Sequence, residues 1–155
     1  MATVLADLLN ENQVVLDLRA TARDEALREI VATMTGTKKV RDEEKFIAEV
    51  RAREDMHTTY MGNGIAFPHT RTDLVERIML GIGRSRAGVQ FGDNSEIARL
   101  IFLIGVPQRM VTDYLVCVGA LSRLASDAKM RDALLNAVTP AEVVTLLSEG
   151  SLVLE

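Results

Sequence analysis

The segment ARLIFLIGV, residues 98–106, constrains the fold of this chain more than any other feature of its sequence. It is apolar at nearly every position and lacks the polar alternation of a strand that has one face in water. A continuous apolar run of this length is typical of a strand in a sheet whose two faces are both covered. We therefore expect a layered domain with helices on both faces of a sheet.

Strand-like and helical patterns alternate along the rest of the chain. The further predicted strands are 12–18, 65–67, 76–85 and 151–155. Helices are predicted from Thr21 to a stop at Gly36, from Asp42 to about Glu54, from Thr112, over 127–138 and from Thr139, with a turn at Asp93–Asn94. This alternation predicts an α/β fold with a mixed, mostly parallel sheet, and the length of 155 residues suits a single domain over 1–155.

The composition argues against several classes of function. A net charge of −4 and an aromatic content of 4% make nucleic acid a poor partner, because its binding depends on phosphate neutralisation and base stacking. No apolar stretch reaches about 18 residues, so membrane insertion is not expected. The N-terminus lacks a signal-peptide pattern, and the single cysteine, Cys117, excludes an internal disulfide. We expect a cytoplasmic, reducing setting.

No cofactor or metal is expected. Two histidines and one cysteine, scattered along the chain, cannot supply the ligands of a zinc site. The phosphate-binding loop and the nucleophile-elbow pattern are both absent from the sequence. The glycines of GIGRSRAG, residues 81–88, are misplaced for a dinucleotide-binding fingerprint, and no helical pattern opens there.

His69 is the residue that most suggests chemistry. It follows Pro68 at the end of the apolar run 65–67, and the proline fixes its own φ and favours extended geometry at Phe67. An imidazole with a pKa near 6.5 is roughly three-quarters neutral at pH 7, so a ring nitrogen lone pair is free to attack phosphorus. Phosphoryl transfer depends mainly on positioning and electrostatics around such a nucleophile. The plain alternative is a histidine that only satisfies its hydrogen bonds at a strand end.

Neighbouring residues supply candidate contacts for a phosphoryl group. Gly62 and Gly64 allow the backbone to approach a bulky anion closely. Arg53 ends a predicted helix and carries a planar guanidinium that matches phosphate oxygens. Thr59 is either a turn former or a hydrogen-bond donor to phosphate, and Arg71 is a candidate partner-docking residue.

The block RAREDMHTTYMGNGIAFPHTR, residues 51–71, resembles the EIIA component of the bacterial phosphoenolpyruvate-dependent phosphotransferase system, of the fructose/mannitol and nitrogen-regulatory type. The arginine precedes the histidine by 16 residues, as it does in that family. The likeness extends over most of the chain, including the LIGVP segment at 103–107. The matching positions of the family pattern are Arg53-Glu54, Thr59, Gly62, Gly64, Ile65-Ala66 and Pro68-His69.

The resemblance implies a mixed five-stranded sheet flanked by helices, and the function of a phosphoryl carrier. His69 would accept a phosphoryl group from an HPr-type phosphohistidine protein, and Arg53 would stabilise the phosphoryl charge. The group would pass to an EIIB domain, or the phosphorylated state would act on a regulatory target. Sugar transport and regulation both remain open, because no residue here reports a sugar.

Tyr114 is the position where the sequence departs from the family. The family commonly carries a second active-site histidine at the start of the helix after the LIGVP strand, and Tyr114 stands there. A hydroxyl can donate a hydrogen bond to phosphate but cannot carry the positive charge of an imidazolium. The alternative function is therefore a degenerate module that binds a partner protein without phosphoryl transfer. His57, in a polar loop, is expected to be a plain surface residue, although it could face the site.

Overall fold

The apolar segment forms the centre of the sheet in the computed structural model, which describes residues 5–35, 41–92 and 95–154. The strands of the described residues are β1 (Val14–Val15), β2 (Ile65–Ala66), β3 (His69–Arg71), β4 (Met79–Gln90) and β5 (Ile97–Val106). β5 pairs antiparallel with β4 on one side and parallel with both β2 and β3 on the other, while β1 pairs parallel with β4. The predicted mixed, mostly parallel five-stranded sheet is confirmed.

Helices cover both faces of this sheet, as expected. They are α1 (Leu5–Leu8), α2 (Arg23–Thr35), α3 (Glu43–Met56), α4 (Val111–Ala125), α5 (Ala128–Asn136) and α6 (Pro140–Leu154). α4, α5 and α6 share one apolar core with Phe102 and Ile104 of β5, whereas α2 and α3 share a second core with Ile101 and Leu103. β5 is apolar at successive positions because its alternate side chains enter different cores. Within the described ranges, no helix is both long and apolar enough to cross a membrane.

β2 and β3 are two parts of one edge strand, interrupted at Phe67–Pro68. Ile65 pairs with Leu100 and His69 pairs with Ile104, so the same offset of 35 residues holds on both sides of the interruption. Pro68 has no N–H to donate, but its carbonyl accepts a hydrogen bond from the Ile104 N–H at 2.9 Å. The corner at Pro68 therefore keeps the register and delivers His69 to the carboxyl end of this edge.

The glycines of segment 81–88 have a packing role. Gly81 and Gly83 lie within β4, where a Cβ on either residue would come within 2.6 Å of the Ile30 side chain. Real Cβ atoms do not approach so closely, so the two glycines let α2 lie against the sheet. Their position inside a strand agrees with the absence of a dinucleotide-binding fingerprint.

The strand predicted over 151–155 is wrong, because Ser151–Leu154 form the last turn of α6, and residue 155 lies outside the described residues. Val143, Leu147 and Ser151 are all buried and lie four residues apart, which places them on one face of a helix. The Ser151 hydroxyl also donates to the Ser148 carbonyl at 2.8 Å, a contact within the helix. Burial of this face overrides the strand preference of the short Leu-Val-Leu run.

The N-terminal boundaries of two helices differ in how well they were predicted. Asp42 caps α3 as expected, since its carboxylate accepts from the Lys45 N–H at 3.1 Å. The cap predicted at Thr21 is wrong: α2 begins at Arg23, and the carbonyl of Ala22 accepts the first helical bond, from the Ala26 N–H at 3.0 Å.

Other predicted segments differ in length from the observed elements: the helix predicted over 127–138, for example, is α5, which ends at Asn136. The strand predicted over 12–18 is a 3₁₀ turn, Glu11–Gln13, followed by the two residues of β1. β4 continues to Gln90, and α3 continues to Met56. The predicted stop at Gly36 and the turn at Asp93–Asn94 lie outside the described residues.

Arg84 of β4 is a buried cation, 1% exposed, that joins the sheet to the end of α5. Its guanidinium donates to the carbonyls of Leu134 and Leu135, both at 3.2 Å, and of Ala137 at 2.5 Å. Its Nε donates to the Leu16 carbonyl at 2.9 Å. The last carbonyls of a helix lack partners within the helix and attract positive charge, so Arg84 satisfies them while it is itself satisfied.

Replacing Arg84 by methionine should lower the free energy of unfolding by about 3 kcal/mol, because the buried Ala137 carbonyl and the partly buried carbonyls of Leu16 and Leu135 lose this donor. Urea unfolding followed by circular dichroism measures this change. Arg86→Met is the matched control. Arg86 also lies on β4, but its side chain is 68% exposed and its Nε is 3.9 Å from a carboxylate oxygen of Asp17. That control should change the free energy by less than about 0.5 kcal/mol. Similar losses in the two variants would contradict the role given to Arg84.

Candidate functional site

His69 lies half-buried at the first position of β3, on the edge of the sheet. Its Nδ1 is 3.0 Å from the carbonyl oxygen of Phe67. A carbonyl oxygen only accepts hydrogen bonds, so Nδ1 carries the hydrogen in this contact. In the neutral ring the lone pair is therefore on Nε2, which is the arrangement required of a nucleophile that attacks through Nε2.

Tyr114 lies directly beside His69. α4 brings it there, with the centroids of the two rings 5.3 Å apart and their planes inclined by 39°. Burial raises the pKa of Tyr114 above its ordinary value of 10.0, while the positive charges of Arg53 and Arg71 act in the opposite direction. The hydroxyl therefore keeps its proton at neutral pH and can donate a hydrogen bond.

Arg53 and Arg71 bring positive charge to this pair of rings from two different elements. Arg53 is in the last turn of α3, and Arg71 is on the same side of β3 as His69, two residues further on. Both side chains are exposed, and both influence the phenol of Tyr114 electrostatically. Neither forms an ion pair with any residue of the described part of the chain. Two guanidinium groups that both act on the phenol beside His69, and that have no ion pair within the described residues, form a site suited to an anion.

Thr59 makes its contacts with a residue to which the sequence assigned no role. Its N–H donates to the Glu54 carboxylate oxygens at 3.0 and 3.2 Å, and its hydroxyl donates to the same carboxylate. A hydrogen bond from this hydroxyl to phosphate stays a prediction, but the proton it would need is used by Glu54 here. The Arg53-Glu54 pair of the family pattern could have drawn attention to Glu54. Nothing in the sequence shows which residue the Glu54 carboxylate contacts.

Gly62 and Gly64 build the turn before β2. Their φ angles of +85° and +77° lie in the left-handed region that glycine adopts readily. The Gly64 carbonyl accepts from the Leu100 N–H, whereas His69 pairs with Ile104, four residues further along β5. Four residues of strand span about 13 Å, so the turn lies well away from the imidazole. These glycines shape the turn, and their close approach to an anion stays a prediction.

His57 and Cys117 are the other two side chains with possible nucleophilic or ligand chemistry. His57 is exposed just after α3, where its backbone N–H donates to the Arg53 carbonyl at 3.1 Å. Cys117 is buried in α4, and burial raises the pKa of its thiol to about 11. Since the thiolate is the reactive form, this cysteine is inert at neutral pH. Among the residues described here, no three acidic, histidine or cysteine side chains are grouped as metal ligands would be.

A cavity of about 630 Å³ lies away from these residues, between α1, the start of β4 and the 3₁₀ turn before α4. Its lining includes Asp7, Asn10, Arg77 and Arg109. None of the residues predicted to form the site lines it.

Residues 7–150 match the model of a protein family described as phosphoenolpyruvate-dependent sugar phosphotransferase system, EIIA 2. This match covers well over half of the chain.

Three relatives illustrate the similarity. The chain is 33% identical over 112 residues to the PTS system fructose-specific EIIA component of Haloferax volcanii, covering 72% of this chain and 73% of that protein. It is 26% identical over 148 residues to the PTS system 2-O-alpha-mannosyl-D-glycerate-specific EIIABC component of Escherichia coli, covering 94% of this chain but only 22% of that longer protein. The crystal structure of nitrogen regulatory protein IIA-Ntr from Neisseria meningitidis superimposes with a TM-score of 0.80 and 25% identity, over 92% of this chain and 97% of that one.

The geometry around Tyr114 predicts a specific titration. Tyr114 should ionise above its ordinary pKa of 10.0, and Arg53→Met should raise its pKa further because an opposing positive charge is lost. Ultraviolet difference absorbance between each protein and its Tyr114→Phe version isolates this one phenol. Arg51→Met is the control and should leave the pKa of Tyr114 unchanged. Arg51 lies in the same helix as Arg53, but its guanidinium is 3.6 Å from a carboxylate oxygen of Asp24.

The same shift has a consequence for stability. A raised pKa in the folded state means that the folded chain holds the Tyr114 proton at pH values where the unfolded chain has lost it. This contribution to stability is therefore complete below pH 10 and is lost as the pH rises through the folded-state pKa.

The titration also has an outcome that would contradict this geometry. An unchanged pKa of Tyr114 in Arg53→Met would place the guanidinium away from the phenol.

Proposed function

The chain belongs to the EIIA 2 family of the phosphoenolpyruvate-dependent sugar phosphotransferase system, and we propose that it carries a phosphoryl group on Nε2 of His69. The observation that carries this proposal is the hydrogen bond from Nδ1 to the Phe67 carbonyl, at 3.0 Å. It leaves the Nε2 lone pair of the half-buried imidazole available for attack. A histidine that served only to satisfy a strand end would not need, close to its neighbour Tyr114, two guanidinium groups that lack an ion pair in the described part of the chain.

The chemistry is a transfer between two imidazoles. The Nε2 lone pair of His69 attacks the phosphorus atom of a phosphohistidine, a nitrogen–phosphorus bond forms, and the bond to the donor's ring nitrogen breaks. The electron pair of that broken bond returns to the donor imidazole. As Nε2 becomes bonded to phosphorus, the ring of His69 gains positive charge, which the Nδ1–H shares with the Phe67 carbonyl. Transfer to the next protein is the same step in reverse, with a new acceptor.

The arginines and the tyrosine stabilise the phosphoryl oxygens. Phosphoryl transfer passes through a loose transition state in which negative charge is spread over the equatorial oxygens. Arg53 has a planar fork of N–H donors that can hold two of these oxygens at once, and Arg71 adds positive charge from the same side of β3 as His69. Tyr114 donates one neutral hydrogen bond from the ring next to His69.

The proposed partners are an HPr-type phosphohistidine protein as donor and an EIIB domain or a regulatory protein as acceptor. The name of the E. coli relative combines an A unit with B and C units. Large exposed apolar side chains occur next to the site residues in the sequence: Leu115 and Val116 follow Tyr114, and Met56 follows Arg53 by three positions. Apolar surface of this kind suits contact with another protein. The cytoplasm remains the proposed setting.

A second function is favoured by the presence of Tyr114 where the family commonly has a histidine. With a neutral donor beside His69, the domain would hold a phosphoryl group but release it slowly, or would bind its partner without phosphoryl transfer. Sugar transport and regulation are both consistent with the relatives, which include a sugar-specific component and a nitrogen regulatory protein.

The first test is phosphorylation itself. Incubation with a panel of phosphorylated HPr-type carriers should add one phosphoryl group to the His69 peptide, detected by mass spectrometry. The product should be labile in acid and stable in alkali, as a phosphoramidate is. His57→Gln should accept the group at the wild-type rate, and His69→Gln should not accept it. A label on His57, or none with any carrier, would reject the carrier function and leave the binding module.

The second test concerns release of the phosphoryl group. Tyr114→His should raise the single-turnover rate of donation to an EIIB domain by about tenfold, because an imidazolium stabilises the departing charge better than a neutral hydroxyl does. Acceptance at His69 should change less. Tyr114→Phe keeps a ring beside His69 without the hydroxyl, so it separates packing from hydrogen bonding. Rapid donation by the wild-type protein, unchanged in Tyr114→His, would remove Tyr114 from the mechanism.

A further inference from the structure

Glu54 is buried in a position that is unfavourable for a negative charge. Its side chain lies in the last turn of α3, and the residue is only 4% exposed. The C-terminal end of a helix carries partial negative charge, and a buried carboxylate is costly unless hydrogen bonds compensate it. The compensation comes from Thr59, whose N–H and hydroxyl both donate to this carboxylate.

Thr59 also contacts the edge strand through its backbone. Its carbonyl accepts from the Phe67 N–H at 3.3 Å, and the next residue, Tyr60, forms an antiparallel bridge with Ala66. Segment 59–61 is therefore held against segment 65–67 by backbone hydrogen bonds. Glu54 fixes where the first of these segments lies.

Phe67 links this arrangement to the imidazole. Its N–H is bonded to Thr59, and its carbonyl accepts from Nδ1 of His69 at 3.0 Å. The Phe67 ring stacks on Phe102, with the two ring centroids 5.3 Å apart, so the Phe67 side chain is held in the core. A continuous series of contacts thus runs from the Glu54 carboxylate to the ring of His69.

We propose that Glu54 is a positioning residue for His69, which acts through Thr59 and Phe67 to fix the carbonyl that selects the Nδ1–H tautomer. Its significance for phosphoryl transfer rests on the function proposed above, but the effect on the tautomer does not. Without Glu54, the Phe67 carbonyl would shift or rotate, and the neutral ring would more often carry its hydrogen on Nε2. That tautomer has no lone pair on Nε2 to attack phosphorus.

The tautomer can be measured directly in the unphosphorylated protein. Long-range ¹H–¹⁵N correlation spectra of ¹⁵N-histidine-labelled protein, recorded where the imidazole is neutral, distinguish Nδ1–H from Nε2–H. A His57→Gln version assigns the two histidines. The wild-type protein should be mainly Nδ1–H at His69. Glu54→Ala should lower the ratio of Nδ1–H to Nε2–H by about five- to tenfold, the effect of losing one ordinary hydrogen bond.

Two pairs of variants separate positioning from general stabilisation. Thr59→Val removes only the hydroxyl and should lower the ratio, whereas Thr59→Ser keeps both donors and should retain the wild-type ratio. Glu29→Ala is the matched control for Glu54→Ala, because Glu29 is also a helical carboxylate that binds loop N–H groups, those of Arg19 and Ala20 at 3.0 and 2.7 Å. Glu29→Ala should leave the tautomer of His69 unchanged.

A conservative variant keeps the inference testable if Glu54→Ala fails to fold. Glu54→Gln retains the shape and one acceptor oxygen, and should lower the tautomer ratio by a smaller factor. With a phosphorylated carrier, Glu54→Ala or Glu54→Gln should also slow acceptance at His69, by about tenfold or more for the alanine variant. A wild-type ratio in folded Glu54→Gln and Thr59→Val would overturn the inference, and so would an equal shift in Glu29→Ala. If no carrier phosphorylates the wild-type protein while the ratios shift as expected, only the proposed function fails.

Discussion

The position of the site residues depends on the register between β5 and the interrupted edge strand formed by β2 and β3. β5 contributes alternate side chains to two cores, and the same offset joins it to β2 before Pro68 and to β3 after it. A slip of one residue would turn every side chain of the edge strand to the opposite face. His69 would then point toward the layer of α2 and α3, away from Tyr114. Because both faces of β5 are buried in apolar cores, such a slip is strongly disfavoured, and the ring of His69 is placed by the core of the domain.

The candidate site takes its character from the meeting of two helical layers at this edge. α3 belongs to one layer and supplies Arg53, while α4 belongs to the other and supplies Tyr114. The strand between them supplies His69 and Arg71. A phosphoryl group at this edge would meet the guanidinium groups of Arg53 and Arg71, from α3 and from β3, and one neutral hydroxyl from α4. This combination of two cations with one neutral donor leads us to expect a domain that binds a phosphoryl group well and releases it slowly.

Most of the architecture was predictable because the apolar pattern directly reports burial on both faces. The strand at 98–106 and the starts of α3 and α6 agree closely with the sequence. The error at 151–155 has a physical cause: a run of Leu, Val and Leu fits a strand locally, and only contact with the core shows that Ser151 continues the buried face of Val143 and Leu147. The cap predicted at Thr21 is wrong because a threonine three residues before Asp24 matches the capping pattern locally, whereas the Ala22 carbonyl accepts the first helical bond.

The sequence by itself determined which residues are candidates for chemistry here: a histidine directly after a proline and an arginine 16 residues before it. Its resemblance to the family adds the tyrosine that stands where a second histidine is common. Residue type and spacing are local properties, so they can be read along the chain. Only the tertiary structure decided that Tyr114 lies against His69, that the hydroxyl of Thr59 points to Glu54, and that Nδ1 donates to Phe67. Each of these depends on the direction of a hydrogen bond or a ring. Such directions are set by how α3, α4 and the edge strand pack together, which no spacing along the chain specifies.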